Sequence, residues 1–118
     1  MGGVVDGGVD PRGALVRRGE VWWVEHPSVG RRPHLVLTRD AAIERLTRVL
    51  GVPATRTVRG IPTEVELGPE DGLADRCVLS FDNIRVVRKS YFVARICTLG
   101  PERMDSVCRA LAVATGCR

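Results

Sequence analysis

The hydrophobic and polar positions of this chain fall into short apolar runs bounded by turn residues, followed by one stripe at helical spacing. Runs of this length, rich in Val, Leu and aromatic residues, predict strands. The first covers residues 20–25 and places Trp22 and Trp23 on opposite faces. Pro27-Ser28-Val29-Gly30 is a short loop into a second strand over 33–38, and a third covers 49–53, interrupted by Gly51. Residues 63–67 alternate Thr-Glu-Val-Glu-Leu, so one face of that strand is wet. Residues 77–81 read as a buried strand, 84–87 resume the sheet and 95–98 close it. Between these, Asp40 is placed to cap a short helix over 40–46. Residues 55–62 mix Thr, Arg and Gly without periodicity and read as a mobile loop, and 68–75 form a turn-rich acidic connection. Met104, Val107, Cys108, Leu111 and Ala112 then recur at helical spacing within 101–115, where Gly116 stops the helix.

Several short strands followed by one amphipathic helix predict a small, strongly twisted β barrel with helices on its rim. At 118 residues there is room for one modest core and no second domain. The single domain is expected over 17–118, preceded by a glycine-rich extension, 1–16, expected to be disordered. No apolar run reaches the roughly 18 residues that cross a bilayer, and the start has neither the apolar core nor the basic cluster of a secretory signal. A soluble, cytoplasmic protein is the expectation.

The formal net charge is +4, and apart from Lys89 every Lys/Arg cation is an arginine. Arg31, Arg32, Arg56 and Arg59 fall in two segments that such a barrel would bring together, which suits a phosphate-facing surface. Cys77, Cys97, Cys108 and Cys117 show no CxxC and no metal-ligand spacing, so they read as reduced and mostly structural. No zinc-protease, serine-hydrolase, P-loop or dinucleotide motif is present, and neither a metal nor a cofactor is implied.

The stretch Gly30-Arg31-Arg32-Pro33-His34-Leu35-Val36-Leu37-Thr38-Arg39-Asp40 concentrates the candidate chemistry. Proline belongs at a strand's entrance rather than in its middle, so Arg32 stands at a rigid mouth. A planar, permanently charged guanidinium there suits phosphate recognition. RNA carries its own nucleophile, the 2′-hydroxyl beside each phosphate. An enzyme need only align that oxygen, stabilise the phosphorane charge and assist two proton transfers. Guanidinium and hydroxyl groups can do much of this without a metal.

Arg18-Gly19-Glu20-Val21-Trp22, the Arg-Pro strand start and Val52-Pro53-Ala54-Thr55 stand in an order and spacing that resembles the MazF/PemK family of toxin endoribonucleases. The resemblance runs from about Arg18 to Cys117. It implies an SH3-like twisted barrel, shared with the CcdB-like toxins, carrying a C-terminal helix. It implies cleavage of single-stranded RNA (messenger, with transfer and ribosomal RNA as further candidates) to 2′,3′-cyclic phosphate and 5′-hydroxyl ends. It also implies a homodimer and a MazE-like antitoxin whose acidic tail competes with RNA. By the same resemblance the catalytic arginine is Arg32 and the catalytic hydroxyl is Thr55. Asp82-Asn83-Ile84-Arg85 matches the family's acidic-Gln-Ile-Arg stretch, so Asp82 and Asn83 are candidates to line the RNA groove.

Two departures are visible. The loop between the first two strands is short and lacks the family's Gly-Ser-Glu element. His34 stands where the family is usually aliphatic, on the same strand face as Arg32. It is either a structural histidine or an acid/base group with a pKa in the working range. The other candidates also keep a plain reading: Thr55 as a turn cap, Asp82 and Asn83 as turn formers, and Arg31, Arg56 and Arg59 as solvated charges rather than RNA contacts. Two other function classes remain open. A non-enzymatic gyrase poison on the same barrel is recognised by a tryptophan near the C-terminus, whereas residues 115–118 read Thr-Gly-Cys-Arg. An SH3-like binding module would use an aromatic groove, and aromatic residues are few here.

Overall fold

The computed structural model describes residues 15–117 together with the backbone of the paired segments β1 (Val9–Asp10) and β2 (Gly13–Ala14). Most of the 1–16 extension, and with it the expectation of disorder there, lies outside the described residues. Val16 is buried in one core together with Trp22 and Val24.

The body of the fold is an antiparallel sheet curled into a half-barrel. Its strands are β3 (Glu20–His26), β4 (Gly30–Val36), β5 (Arg48–Thr55), β6 (Glu64–Leu67), β7 (Cys77–Ser80), β8 (Arg85–Arg88) and β9 (Phe92–Thr98). They lie in the order β6-β7-β5-β4-β3-β9, with β8 pairing the first half of β5. On that edge β5 pairs β8 through Gly51 and then β7 from Ala54. Pro53 falls between the two registers, where a missing N–H breaks no ladder. α1 (Asp40–Ile43) and α2 (Pro101–Thr115) complete the fold.

Strand alternation divides the apolar residues between two cores. Val21, Leu35, Val52 and Leu79 meet Val107 and Ala110 of α2 on one face. Trp22, Val24, Val36, Val49, Val87 and Phe92 pack on the other. Trp22 meets Phe92 edge-on, with ring centroids 6.4 Å apart, a geometry worth about 0.5–1.5 kcal/mol beyond area burial. The Arg-Gly-Glu-Val-Trp opening has a structural explanation. Glu20 is buried, and its carboxylate accepts the Trp22 indole N–H and the Arg17 N–H at 2.9 Å and pairs with Arg95 at 3.1 Å. Removing that carboxylate would leave the buried Trp22 indole N–H unmet.

Several boundaries differ from expectation for local reasons. The second strand begins at Gly30 rather than Pro33, because the hairpin ladder with β3 runs back to His26↔Gly30. Pro33 is tolerated inside it because β4 pairs β5 only over His34–Val36. Asp40 does not cap α1; its carboxylate accepts the Arg18 N–H at 2.7 Å, and the helix is only Asp40–Ile43. β9 starts at Phe92, whose fully buried ring needs the sheet to extend that far. In α2 the inward face uses Ala110, while Cys108 is exposed. Of the four cysteines, all free thiols, only Cys77 is buried; Cys97 is half-buried and Cys108 and Cys117 are exposed.

Candidate active site

Followed toward one end of the sheet, the second core's face turns from apolar to polar on each strand. On β4 it runs Val36, His34, Arg32; on β3 Trp22, Val24, His26; on β8 Val87, then Arg85. Residues two apart share a face, so the core's open mouth becomes a polar cavity. It measures about 480 Å³, and its walls include Arg32, His34, Thr55, Arg59, Asn83 and Arg85.

Arg32 sits beside the point where β4 and β5 stop pairing, and its Nη1 reaches across to the Ala54 carbonyl at 3.2 Å. The guanidinium is thereby held next to Thr55, the last residue of β5. The Thr55 hydroxyl oxygen accepts the Thr57 N–H at 3.2 Å, so the turn-capping reading is realised. That bond occupies one lone pair and leaves the hydroxyl proton free to be donated. The loop beyond, expected to be mobile, is tethered: one carboxylate oxygen of Glu64 accepts the N–H groups of Arg59 and Gly60, both at 3.0 Å. The tether places Arg59 on the cavity wall.

His34 is 3% exposed. Its Nδ1 lies 3.1 Å from the Arg32 carbonyl oxygen, which can only accept, so the ring proton resides on Nδ1. Nε2 is buried without a partner. Burial, reinforced by the positive charges of Arg85 and Arg32 and only partly opposed by the bond to the Arg32 carbonyl, lowers its pKa to about 4. An imidazole with that pKa is neutral through the physiological range, which favours the structural reading of His34 over the acid/base one. Gly51 makes room for it: a Cβ there would lie 3.3 Å from His34 Cδ2 and 3.0 Å from Val87 Cγ2. That close approach accounts for the glycine inside the third strand.

A second cavity, about 590 Å³, opens on the opposite face of the β3–β4 hairpin. Arg31 and Arg56 belong to it, whereas Arg32, Thr55 and Thr57 line both cavities. The Arg31 guanidinium lies 4.5 Å from the centre of the Trp23 ring and 3.7 Å from Glu25. Arg56 pairs with Asp75 at 3.1 Å on the exposed surface.

The structure thus brings Arg32, His34, Thr55, Arg59 and Asn83 into one cavity, and Arg31 and Arg56 into its neighbour. It does not bring Asp82 to either. That carboxylate accepts the Thr63 hydroxyl at 2.6 Å and lines a separate depression beside α2. The short helical turn Phe81–Asn83 explains the split, because its consecutive residues diverge in direction. Asn83 turns inward and its amide donates to Ser80 Oγ at 2.7 Å. Sequence reasoning missed Arg85, Ser80, Thr57 and His26, all on the first cavity's wall. Alternation from the buried Val87 was the signal for Arg85. His26 carried none; its Nδ1 accepts the Ser28 N–H at 3.0 Å, and its ring packs edge-on against Tyr91.

Comparison with known proteins agrees with this architecture. The family model described as the PemK-like, MazF-like toxin of type II toxin–antitoxin systems matches residues 17–115. The chain is 46% identical to the probable endoribonuclease MazF5 of Mycobacterium tuberculosis, over 88% of its own length and 96% of the relative's. It is 43% identical to the probable endoribonuclease MazF2 of the same species, covering 86% and 100%. Among solved structures it superposes on M. tuberculosis toxin MazF-mt6 with a TM-score of 0.77 at 28% identity, covering 84% of this chain and 98% of that one. A mycobacterial endoribonuclease in complex with its cognate antitoxin gives 0.77 at 30% identity, covering 86% and 96%. The chain belongs to the PemK-like, MazF-like toxins of type II toxin–antitoxin systems.

Proposed function

We propose that this toxin is a metal-independent, sequence-selective endoribonuclease that cuts single-stranded RNA by attack of a 2′-hydroxyl on the adjacent phosphate. Endoribonuclease activity is what its named relatives carry. The meeting of Arg32 and Thr55 at the junction of two cavities carries the finer reading.

In that reading the Arg32 guanidinium leaves the Ala54 carbonyl to take the non-bridging phosphate oxygens in a fork. The Thr55 hydroxyl donates a second hydrogen bond to the charge that develops on the phosphorane. Arg59 and Arg85 hold flanking phosphates, and Asn83 presents an amide to a base edge. The O2′–P bond forms as the P–O5′ bond breaks; the 2′-hydroxyl proton is lost and the leaving 5′-oxygen gains one. The products are a 2′,3′-cyclic phosphate and a 5′-hydroxyl. His34, neutral and enclosed, holds the Arg32 strand in place and is not the group that exchanges these protons.

The partner set follows from the same reading. An antitoxin with an acidic tail competes for the arginine-lined surface and neutralises the toxin. Two copies of the chain pair through an apolar patch in which Leu50 and Val86, cross-strand partners 41% and 62% exposed, continue toward Ile84 and Leu111. Val86 also borders the first cavity, so pairing there would extend the RNA groove across two subunits. The compartment is the cytoplasm, where such RNA is found, and the described helices include none long and apolar enough to cross a membrane.

The test is to incubate purified protein with a mixed RNA pool in excess EDTA and sequence the new ends. Cleavage at a recurring short motif with 5′-hydroxyl ends supports the reading. Cutting that appears only with added divalent metal contradicts it.

A further inference from the structure

Beyond the Arg32–Thr55 ridge that it shares with the first, the second cavity has no part in the chemistry just described, and its composition differs from the first. Its floor is apolar (Pro33, Leu73, Cys77, Ile96), and Trp23 stands in its wall with Arg31 stacked on the ring at 4.5 Å. Its rim carries four arginines, Arg31, Arg32, Arg56 and Arg76, against one carboxylate, Asp75, and Arg76 also pairs with Glu66 at 2.6 Å. Trp22, one residue away, is 2% exposed and locked edge-on against Phe92, so Trp23 is the tryptophan that can meet a ligand. An apolar floor is the wrong lining for a phosphate and the right one for the face of a base. Aromatic rings and arginine planes are the side chains on which unstacked bases rest.

Position adds a second, independent argument. The two cavities lie on opposite faces of the β3–β4 hairpin and meet where β4 and β5 diverge. Arg32, Thr55 and Thr57 line both. A strand whose scissile phosphate rests on that shared ridge must send the nucleotide on one side toward the first cavity and the other toward the second.

We propose that the Trp23 cavity is a nucleobase subsite, which takes an unpaired base flanking the cleaved phosphate and stacks it on the Trp23–Arg31 platform. This rests on the endoribonuclease reading and adds to it a source of substrate selection in which the base is recognised by its face. A face-stacking site accepts all four bases and requires that one be present and unpaired. The Arg31–Glu25 and Arg56–Asp75 pairs hold two of the rim guanidinia in place in the free protein. Being exposed, these pairs can be exchanged for phosphate contacts at little cost.

The experiment couples a deletion in the RNA to one in the protein. Oligonucleotides carrying one cleavage motif are made with an abasic residue at each flanking position in turn, and kcat/KM is measured with wild type and with Trp23→Leu. Wild type should lose about tenfold at one flanking position, within the range measured for base–aromatic stacking. Trp23→Leu should lose less than about twofold at that same position, because the platform is already gone. Equal penalties in the two proteins, or no penalty at any flanking position in wild type, would overturn the subsite while leaving the nuclease reading intact. A wild-type protein that cuts no RNA removes both. Should Trp23→Leu fail to fold, the abasic scan of wild type is read alongside quenching of its tryptophan emission by a non-cleavable oligonucleotide with a 2′-deoxy nucleotide at the cut. Quenching that disappears when the flanking base is removed supports the subsite. Quenching that persists, or that only an acidic peptide produces, assigns the cavity to something other than a base.

Discussion

Replacing His34 with leucine should flatten the acid side of the stability profile. The sign follows from burial. In the unfolded chain the imidazole titrates near 6.5, whereas in the fold it titrates near 4. Above about pH 7.5 both states are neutral and the residue is silent. As pH falls from there toward 4, the unfolded chain takes up a proton that the folded chain refuses, so stability drops. Between pH 7 and pH 5 the difference amounts to about 2 kcal/mol, approaching about 3 kcal/mol at pH 4. Asp71 does not enter this window. Burial raises its pKa, but the hydrogen bonds and charges of Arg103 and the Gly68 N–H outweigh that and hold it below 3.8. Its contribution is lost only at lower pH. Urea unfolding at pH 7 and pH 5 measures the effect: wild type should lose about 2 kcal/mol and His34→Leu far less, whatever the variant's absolute stability. An equal loss in both proteins would mean that the imidazole is not enclosed as described.

Arg32→Ala should lower cleavage by at least about a hundredfold, as removal of an oxyanion-type donor does, with little change in the thermal midpoint because the side chain is exposed. Arg32→Lys should fail too, since an ammonium cannot reproduce the fork; single-turnover rates on one labelled RNA check both. Thr55→Ser should keep partial activity and Thr55→Val should not, because the hydroxyl and not the volume is required. A Val variant as fast as wild type would reduce Thr55 to the turn cap it also is. Sedimentation at micromolar concentration should give twice the chain mass, and Leu50→Glu, on the exposed Leu50–Val86 patch, should shift it toward the monomer. A Leu50→Glu dimer would place the interface elsewhere.

The succession of short strands along the chain and the terminal helix were legible because they rest on local signals, apolar runs, turn residues and Gly116 at a boundary, whereas the roles of Arg32 and Thr55 came from the resemblance to the family. What the sequence hid depends on contacts distant along the chain. The reason for Gly51 appears only when His34 packs against it from the neighbouring strand. The tether on residues 59–60 depends on a carboxylate, Glu64, that reads as the wet face of an alternating strand. Asp82 and Asn83 are adjacent in sequence yet serve different surfaces, because a helical turn separates their directions. The pKa of His34 was out of reach for the same reason: alternation gives its face, but burial and the nearness of Arg85 are properties of the folded sheet.

If the RNA supplies the nucleophile at the Arg32–Thr55 ridge, one 2′-hydroxyl decides the reaction. An oligoribonucleotide in which the single nucleotide 5′ of the cut is 2′-deoxy and every other position is native should bind as tightly as its parent and resist cleavage in excess EDTA, while the parent yields 2′,3′-cyclic phosphate and 5′-hydroxyl ends. Cleavage of the 2′-deoxy oligonucleotide at that position would show that another nucleophile attacks the phosphate.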